Sequence, residues 1–150
     1  ICAYLRSSVA KPFMFYQHTP LRFECTGCGA CCTGGADHYV ETSVTERVAI
    51  RAFLKLSPAW FRRRYLVRVD ADTTGIRLEH NGRCPFLGVD NRCRIYSVRP
   101  RQCRTYPWWP ELVEKKRGWT EEAQRCEGMN RGTVVPLSTI ERSLARERKK

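Results

Sequence analysis

Four cysteines fall close together at Cys25, Cys28, Cys31 and Cys32, in the string CTGCGACC, and five more stand at positions 2, 84, 93, 103 and 126. Thiols at such spacing serve as metal ligands, disulfide partners or nucleophiles. The odd total of nine, the adjacent Cys31–Cys32 pair and the run of x₂ spacings favour metal ligation in a reducing compartment over disulfides in an oxidising one. Cys2 has no partner spacing of its own. The remaining eight are Cys25, Cys28, Cys31, Cys32, Cys84, Cys93, Cys103 and Cys126. They suffice for two tetrahedral four-thiolate sites, or for one iron–sulfur cluster and one zinc ion.

Both metals stay open at the level of spacing. Cys25-x₂-Cys28-x₂-Cys31 has the form of the three close ligands of a bacterial ferredoxin cluster, and Cys84-Pro85 has the form of its remote ligand. A C-x₂-C knuckle equally supplies two thiolates to zinc, with Cys84 and Cys93, or Cys103 and Cys126, completing a closed site that leaves no position for water. His18, His38 and His80 are further candidate ligands, with Asp37-His38 near the cysteine loop. Eight thiols already meet the four-coordinate demand without them. Serine nucleophile elbows, HExxH and phosphate-binding glycine loops are absent, so the reading leans away from an enzyme.

The elements that must position these thiols are short. Residues 1–20 read as an extension broken by Lys11-Pro12 and Thr19-Pro20. LRFEC alternates apolar and polar residues and predicts a strand that delivers Cys25 into the loop. HYVET predicts a second strand. Ser43-Val44-Thr45-Glu46 is a capping box opening a helix to about Leu56, with Val44, Val48, Phe53 and Leu56 as its apolar side, and Ser57-Pro58 starts another helix. LVRVD, GIRLEH, CPFL and CRIY predict strands, and the Asn81-Gly82 hairpin signal would bring Cys84 and Cys93 toward CTGCGACC. A helix is expected around ELVEKK. A second capping box, Ser138 to Glu141, predicts a charged C-terminal helix whose narrow stripe is Ile140, Leu144 and Ala145.

A chain of 150 residues with 42% hydrophobic residues fits one globular domain, and no apolar run approaches the roughly 20 residues of a membrane span. The chain starts at Ile1, so it is either processed or part of a longer protein. Its first residues, with Arg6, Lys11 and Arg22 and no acid, are only faintly like the end of an organellar transit sequence. The formal net charge is +12. Each four-thiolate site around Zn²⁺ or a [4Fe-4S]²⁺ core carries about −2, and the remaining excess favours an acidic partner, RNA first. Arg62–Arg64 and the terminal RERKK are candidate contacts, though charge runs are usually solvated faces. Arg99, Arg101 and Arg104 around Cys103 would bind an anion or, on the simpler reading, offset thiolate charge. Tyr106, Trp108 and Trp109 would stack on bases or, more simply, pack.

The strings CTGCGACC at 25–32, CPFLGVDNRCRIYSVRPRQCRTYPWWP from Cys84, and RCEGMNRG resemble, in that order, the YkgJ-type cysteine-cluster proteins, or CxxCxxCC family, over about Leu21 to Gly132. The resemblance implies zinc or iron chelation by Cys25, Cys28, Cys31, Cys32, Cys84, Cys93, Cys103 and Cys126. A similar module in flagellin lysine methylases makes an iron–sulfur redox or methyl-transfer enzyme the alternative.

The expected architecture is a small α+β domain of short antiparallel strands, hairpins and a few helices, stapled by metal over 21–132. A 1–20 extension precedes it and a basic tail over 133–150 follows. The expected role is a structural or assembly component of a larger ribonucleoprotein, in the cytoplasm or an organelle matrix such as the mitochondrion, with protein partners.

Overall fold

In the computed structural model the chain is an α+β structure described over residues 13–34 and 38–147. Cys2 and most of the N-terminal extension, Asp37, and the last three residues of the basic tail lie outside the described residues. In chain order the elements are α1 (Phe15–His18), β1 (Arg22–Phe23), β2 (Tyr39–Glu41), α2 (Val44–Phe53), α3 (Pro58–Tyr65), β3 (Leu66–Arg68) and β4 (Thr74–Arg77). Then follow α4 (Arg101–Thr105), α5 (Pro110–Val113), α6 (Lys116–Ala123), β5 (Met129–Val134) and α7 (Leu137–Glu147). β2-β4-β3 form one antiparallel sheet and β1-β5 another.

Two hydrophobic cores result. One gathers Ile50, Phe61, Ile76, Phe86, Leu87 and Ile95 with Cys84. The other gathers Tyr16, Leu21, Tyr106, Trp108, Val113, Trp119, Met129, Ile140 and Leu144 with Cys126. Tyr106 and Trp108 are thus core residues, as the simpler reading of the aromatics expects.

Both early helix starts form as the sequence predicts. Glu46 N–H donates to Ser43 Oγ at 3.2 Å and Ser43 N–H to Glu46 Oε2 at 2.9 Å, the reciprocal bonds of a capping box. Ser43 and Ser57 are the N-caps of α2 and α3.

Four expectations are corrected. The expected apolar side of α2 is largely solvent-facing, with Val44, Val48 and Phe53 at least half exposed, because Ile50 is the residue that enters the core, backed by Leu54 four positions on. CPFL and CRIY are not strands. Pro85 lacks an N–H, and the segment closes after a single bridge, Leu87 to Cys93, with Gly88 N–H donating to Arg92 O at 2.8 Å and Arg94 N–H to Phe86 O at 2.8 Å. The helix around ELVEKK is interrupted between α5 and α6. α7 starts at Leu137, ahead of the second capping box, with its first turn closed on the Pro136 carbonyl. Its stripe docks: Ile140 is fully buried and Leu144 nearly so. β5, which pairs with β1, was carried by no sequence signal.

Candidate metal centre

The loop that carries four of the cysteines is shaped by two glycines. Gly27 and Gly29 have φ of 75° and 76°, a left-handed backbone that other residues adopt at a cost. Gly29 opens a 3₁₀ turn over Ala30–Cys32, and Cys32 N–H donates to Gly29 O at 2.9 Å. The Asn81-Gly82 turn forms, with Glu79 N–H donating to Arg83 O at 2.9 Å, but the chain beyond it leaves β4 and meets the cysteine loop. Thr33 bridges Arg83, and Cys84 N–H donates to Cys32 O at 2.8 Å. The turn after Phe86 then returns Cys93 to the same place.

Cys103 arrives on α4, and α4 is held from several sides. Glu46 Oε1 accepts from Arg101 N–H at 2.6 Å and Gln102 Oε1 accepts from Glu41 N–H at 2.8 Å. Trp109 Nε1–H donates to Gln102 O at 3.1 Å, and the Thr105 hydroxyl donates to the Glu147 carboxylate. The sequence identified Glu46 as a helix cap. Its second task, fastening the helix that carries Cys103, depends on a contact 55 positions away.

Five thiols therefore share one neighbourhood: Cys31, Cys32, Cys84, Cys93 and Cys103. Cys31 and Cys32 Sγ lie 4.0 Å apart. The hydrogen bond with Cys32 raises the Cys31 pKa. At Cys32 the bond with Cys31 acts downward, but the bond with Cys84 and burial push the thiol up to about 12. Its partner Cys84 is lowered, first by that same bond with Cys32. Burial raises Cys93, and burial with the charges of Cys32, Cys31 and Cys93 pushes Cys103 up to about 12. With Cys31, Cys32, Cys93 and Cys103 all raised, the group does not ionise together without a cation.

Arg99 supplies part of that charge. Its guanidinium carbon sits 3.6 Å from the Tyr96 ring centroid, and its charge acts downward on Cys31, Cys93 and Cys103. Arg104 instead meets Glu46 at 3.4 Å, and Arg101 lies 4.0 Å from Glu147. The charge-offset reading of the three arginines thus holds for Arg99 and not for Arg104.

Cys28 and Cys126 pack in the core around Tyr106 and Trp108. Burial raises the Cys126 thiol, while the Tyr106 hydroxyl acts downward on it and Cys28 upward. No sequence signal pointed to that tyrosine as a thiol partner. Cys25 is exposed. A cavity of about 320 Å³ has Cys25, Cys28, Cys31, Cys32, Cys93 and Cys126 on its wall, so it joins Cys28 and Cys126 to three of the five thiols, and a larger one of about 470 Å³ touches Cys31, Cys32, Cys84, Cys103 and His38. His18 stacks on Phe13 with centroids 4.3 Å apart, and His80 is exposed on its turn.

Soft thiolates, mutually opposed in ionisation and backed by one arginine, fit zinc or iron in donor chemistry. Among the described residues no three cysteine, histidine or carboxylate groups yet close on a single ion. The CxxCxxCC family model, described as "Putative zinc- or iron-chelating domain", matches residues 24–127. No solved structure matches the chain.

Proposed function

The chain belongs to the CxxCxxCC family, and from that premise we propose that Cys31, Cys32, Cys84, Cys93 and Cys103 hold zinc or an iron–sulfur cluster. The observation that carries the proposal is the meeting of these five thiols from the glycine loop, the turn after Phe86 and α4. Zinc would supply a structural cross-link there, and an iron–sulfur cluster an electron store. The protein's part is to bring the loop, the turn and the helix together and to place Arg99 beside the anionic site. A tetrahedral site uses four of the five thiols, and the cysteine loop is the segment whose backbone is freest to complete it.

On this reading the domain is a binding or assembly module in a reducing compartment, cytoplasmic or within an organelle such as the mitochondrion. Its +12 charge supports an acidic partner, RNA or a ribonucleoprotein. With Tyr106 and Trp108 in the core, recognition of RNA would rest on backbone phosphates and fall steeply with salt. The cavity of about 470 Å³ beside Cys31, Cys32, Cys84 and Cys103 favours a second reading, a cluster-dependent redox or methyl-transfer enzyme, because it gives a small molecule room next to the thiols.

Metal and acid-labile sulfide analysis of anaerobically purified protein, with its visible spectrum, tests the proposal. Colourless protein with zinc supports the structural module. Brown protein with iron and sulfide that accepts an electron supports the second reading. Protein that retains no metal overturns both.

A further inference from the structure

We propose that the outer side of α3 is a binding face for single-stranded RNA, on which Arg62, Arg63 and Arg64 hold phosphates and Trp60 stacks on one unpaired base. The proposal rests on the reading of RNA as the acidic partner and names the surface that would carry it. Residues 47–69 hold seven Lys or Arg and no Asp or Glu. A charge run is an ordinary solvated face when acids alternate with it, as around α6, where Arg117 meets Glu121 at 2.6 Å and Arg125 meets Glu122 at 3.6 Å. This run differs. Among the described residues none of its seven cations forms an ion pair with a carboxylate. Arg47, Arg51 and Arg68 donate to the carbonyls of Thr42, Leu56 and Asp70, while Lys55, Arg62, Arg63 and Arg64 stand exposed. Like charges without a counter-charge build a positive potential that a polyanion relieves.

Helical spacing puts the aromatic among the cations. Phe61 enters the core at 3% exposure and so fixes the inner side of α3. Trp60 is 41% exposed, and Arg63 and Arg64, three and four positions on, share its side of the helix. Tyr65 meets the Trp60 ring edge-on at 5.7 Å between centroids, and Tyr65 is itself packed on Phe61 at 5.7 Å and Phe86 at 4.7 Å. The indole is thus held before a base arrives, which lowers the ordering cost of stacking on it. A partly exposed indole within one turn of two unpaired guanidinium groups matches a strand whose bases can swing away from its phosphates. An anionic membrane would instead need a continuous apolar stripe. Val44 and Phe53 of α2 stand nine positions apart, about two and a half turns, so they lie on opposite sides, and Phe61 of α3 is spent in the core.

The test measures binding of a fluorescein-labelled oligouridine to the full chain by anisotropy across a potassium chloride series, and follows tryptophan emission in parallel. Trp108 and Trp119 are buried and Trp109 is half-buried, so quenching by a stacked base reports on Trp60. Arg62→Gln combined with Arg63→Gln and Arg64→Gln should weaken binding at least about tenfold and lower the slope of log K against log salt by about two, since each phosphate contact on a single strand contributes about 0.7. Trp60→Ala should weaken binding about tenfold and abolish the quenching while the salt slope is kept. Arg117→Gln, a cation outside the face, should change neither, and unchanged melting temperatures show that the variants keep their fold. Wild-type protein that binds the oligonucleotide no better than the triple variant and Trp60→Ala overturns the α3 face and leaves the RNA reading standing. A loss in the triple variant alone, with quenching kept in Trp60→Ala, overturns the stacking. Wild-type protein that binds no oligouridine at low salt overturns both the face and the RNA reading, and binding to phosphatidylserine vesicles in its place would reassign the face to a membrane.

Discussion

Cys84 and Cys126 are both buried, at 8% and 4% exposure, and each belongs to one of the two cores. Their surroundings diverge. Cys84 has Cys32 as its hydrogen-bond partner and Cys103 and Cys93 close enough for their charges to act on it. Cys126 is acted on by the Tyr106 hydroxyl and by Cys28. Burial alone therefore does not assign a cysteine's chemistry. Several thiols facing one another make a site for a soft cation, whereas a buried thiol with fewer thiol neighbours does so only if the others reach it.

The largest test of that contrast is to delete one thiol from each region. Cys84→Ser should release the metal and, because structural metal binding is worth on the order of 10 kcal/mol, lower apparent stability by several kcal/mol. Cys126→Ser should keep full metal stoichiometry and cost only about 1 kcal/mol. Denaturant unfolding with metal analysis on both variants checks this. Equal metal loss in the two would abolish the distinction.

A second test strains only the Tyr106 core. In Gly128→Ala the new methyl meets a backbone carbonyl, which cannot rotate away, so a cost of about 2 to 3 kcal/mol is expected with metal retained. Thermal unfolding and metal content read the two effects separately. Metal loss at modest destabilisation would show that the two regions depend on each other.

The five-thiol region was more legible in the sequence than the other. CTGCGACC and Asn81-Gly82 are local patterns, and local patterns predict turns well. The Asn81-Gly82 turn does deliver Cys84 to the loop, though by bridging Thr33 to Arg83 and not by a long hairpin. Which cysteines come near one another was not legible, because it depends on how the glycine loop, the turn after Phe86 and α4 meet. β5 pairs with β1, more than a hundred positions earlier, through its end residues Met129 and Val134, and the polar, exposed residues between them carry no alternation to read. Val44 and Val48 looked like a core face for the opposite reason: helical spacing marks a face and not what lies against it.

Glu46 offers a smaller effect, felt in the metal-holding region alone. Burial acts upward on its carboxyl, but the hydrogen bonds from Ser43 and Arg101 N–H and the charge of Arg104 outweigh it and hold the pKa below the ordinary value. A carboxyl lowered in the folded state stabilises above its unfolded pKa, and that contribution is lost as pH falls through the folded value. Glu46→Gln should thus flatten the acid limb of the stability profile below about pH 4.5. Glu46→Ala should cost about 1 to 2 kcal/mol at neutral pH and speed metal loss to a chelator, since both the α2 cap and the anchor of α4 go. Unfolding curves across pH decide it; an unchanged acid limb in Glu46→Gln would remove Glu46 from the account.

The smallest effects separate two arginines of equal charge. Arg99 lies over Tyr96 and acts on three thiols, so Arg99→Gln should weaken metal retention by about fivefold in a chelator competition, the scale of one charge at partly screened range. Arg117 makes the shorter ion pair, 2.6 Å to Glu121, yet both side chains are mostly in solvent, at 86% and 60% exposure. Water and salt screen that pair, and fixing two long side chains opposes it, so Arg117→Gln should leave melting temperature and metal retention unchanged. Distance would rank these two residues in the wrong order. What ranks them is the charge each one faces: a group of thiols that must become anionic together, or a single carboxylate that water already solvates.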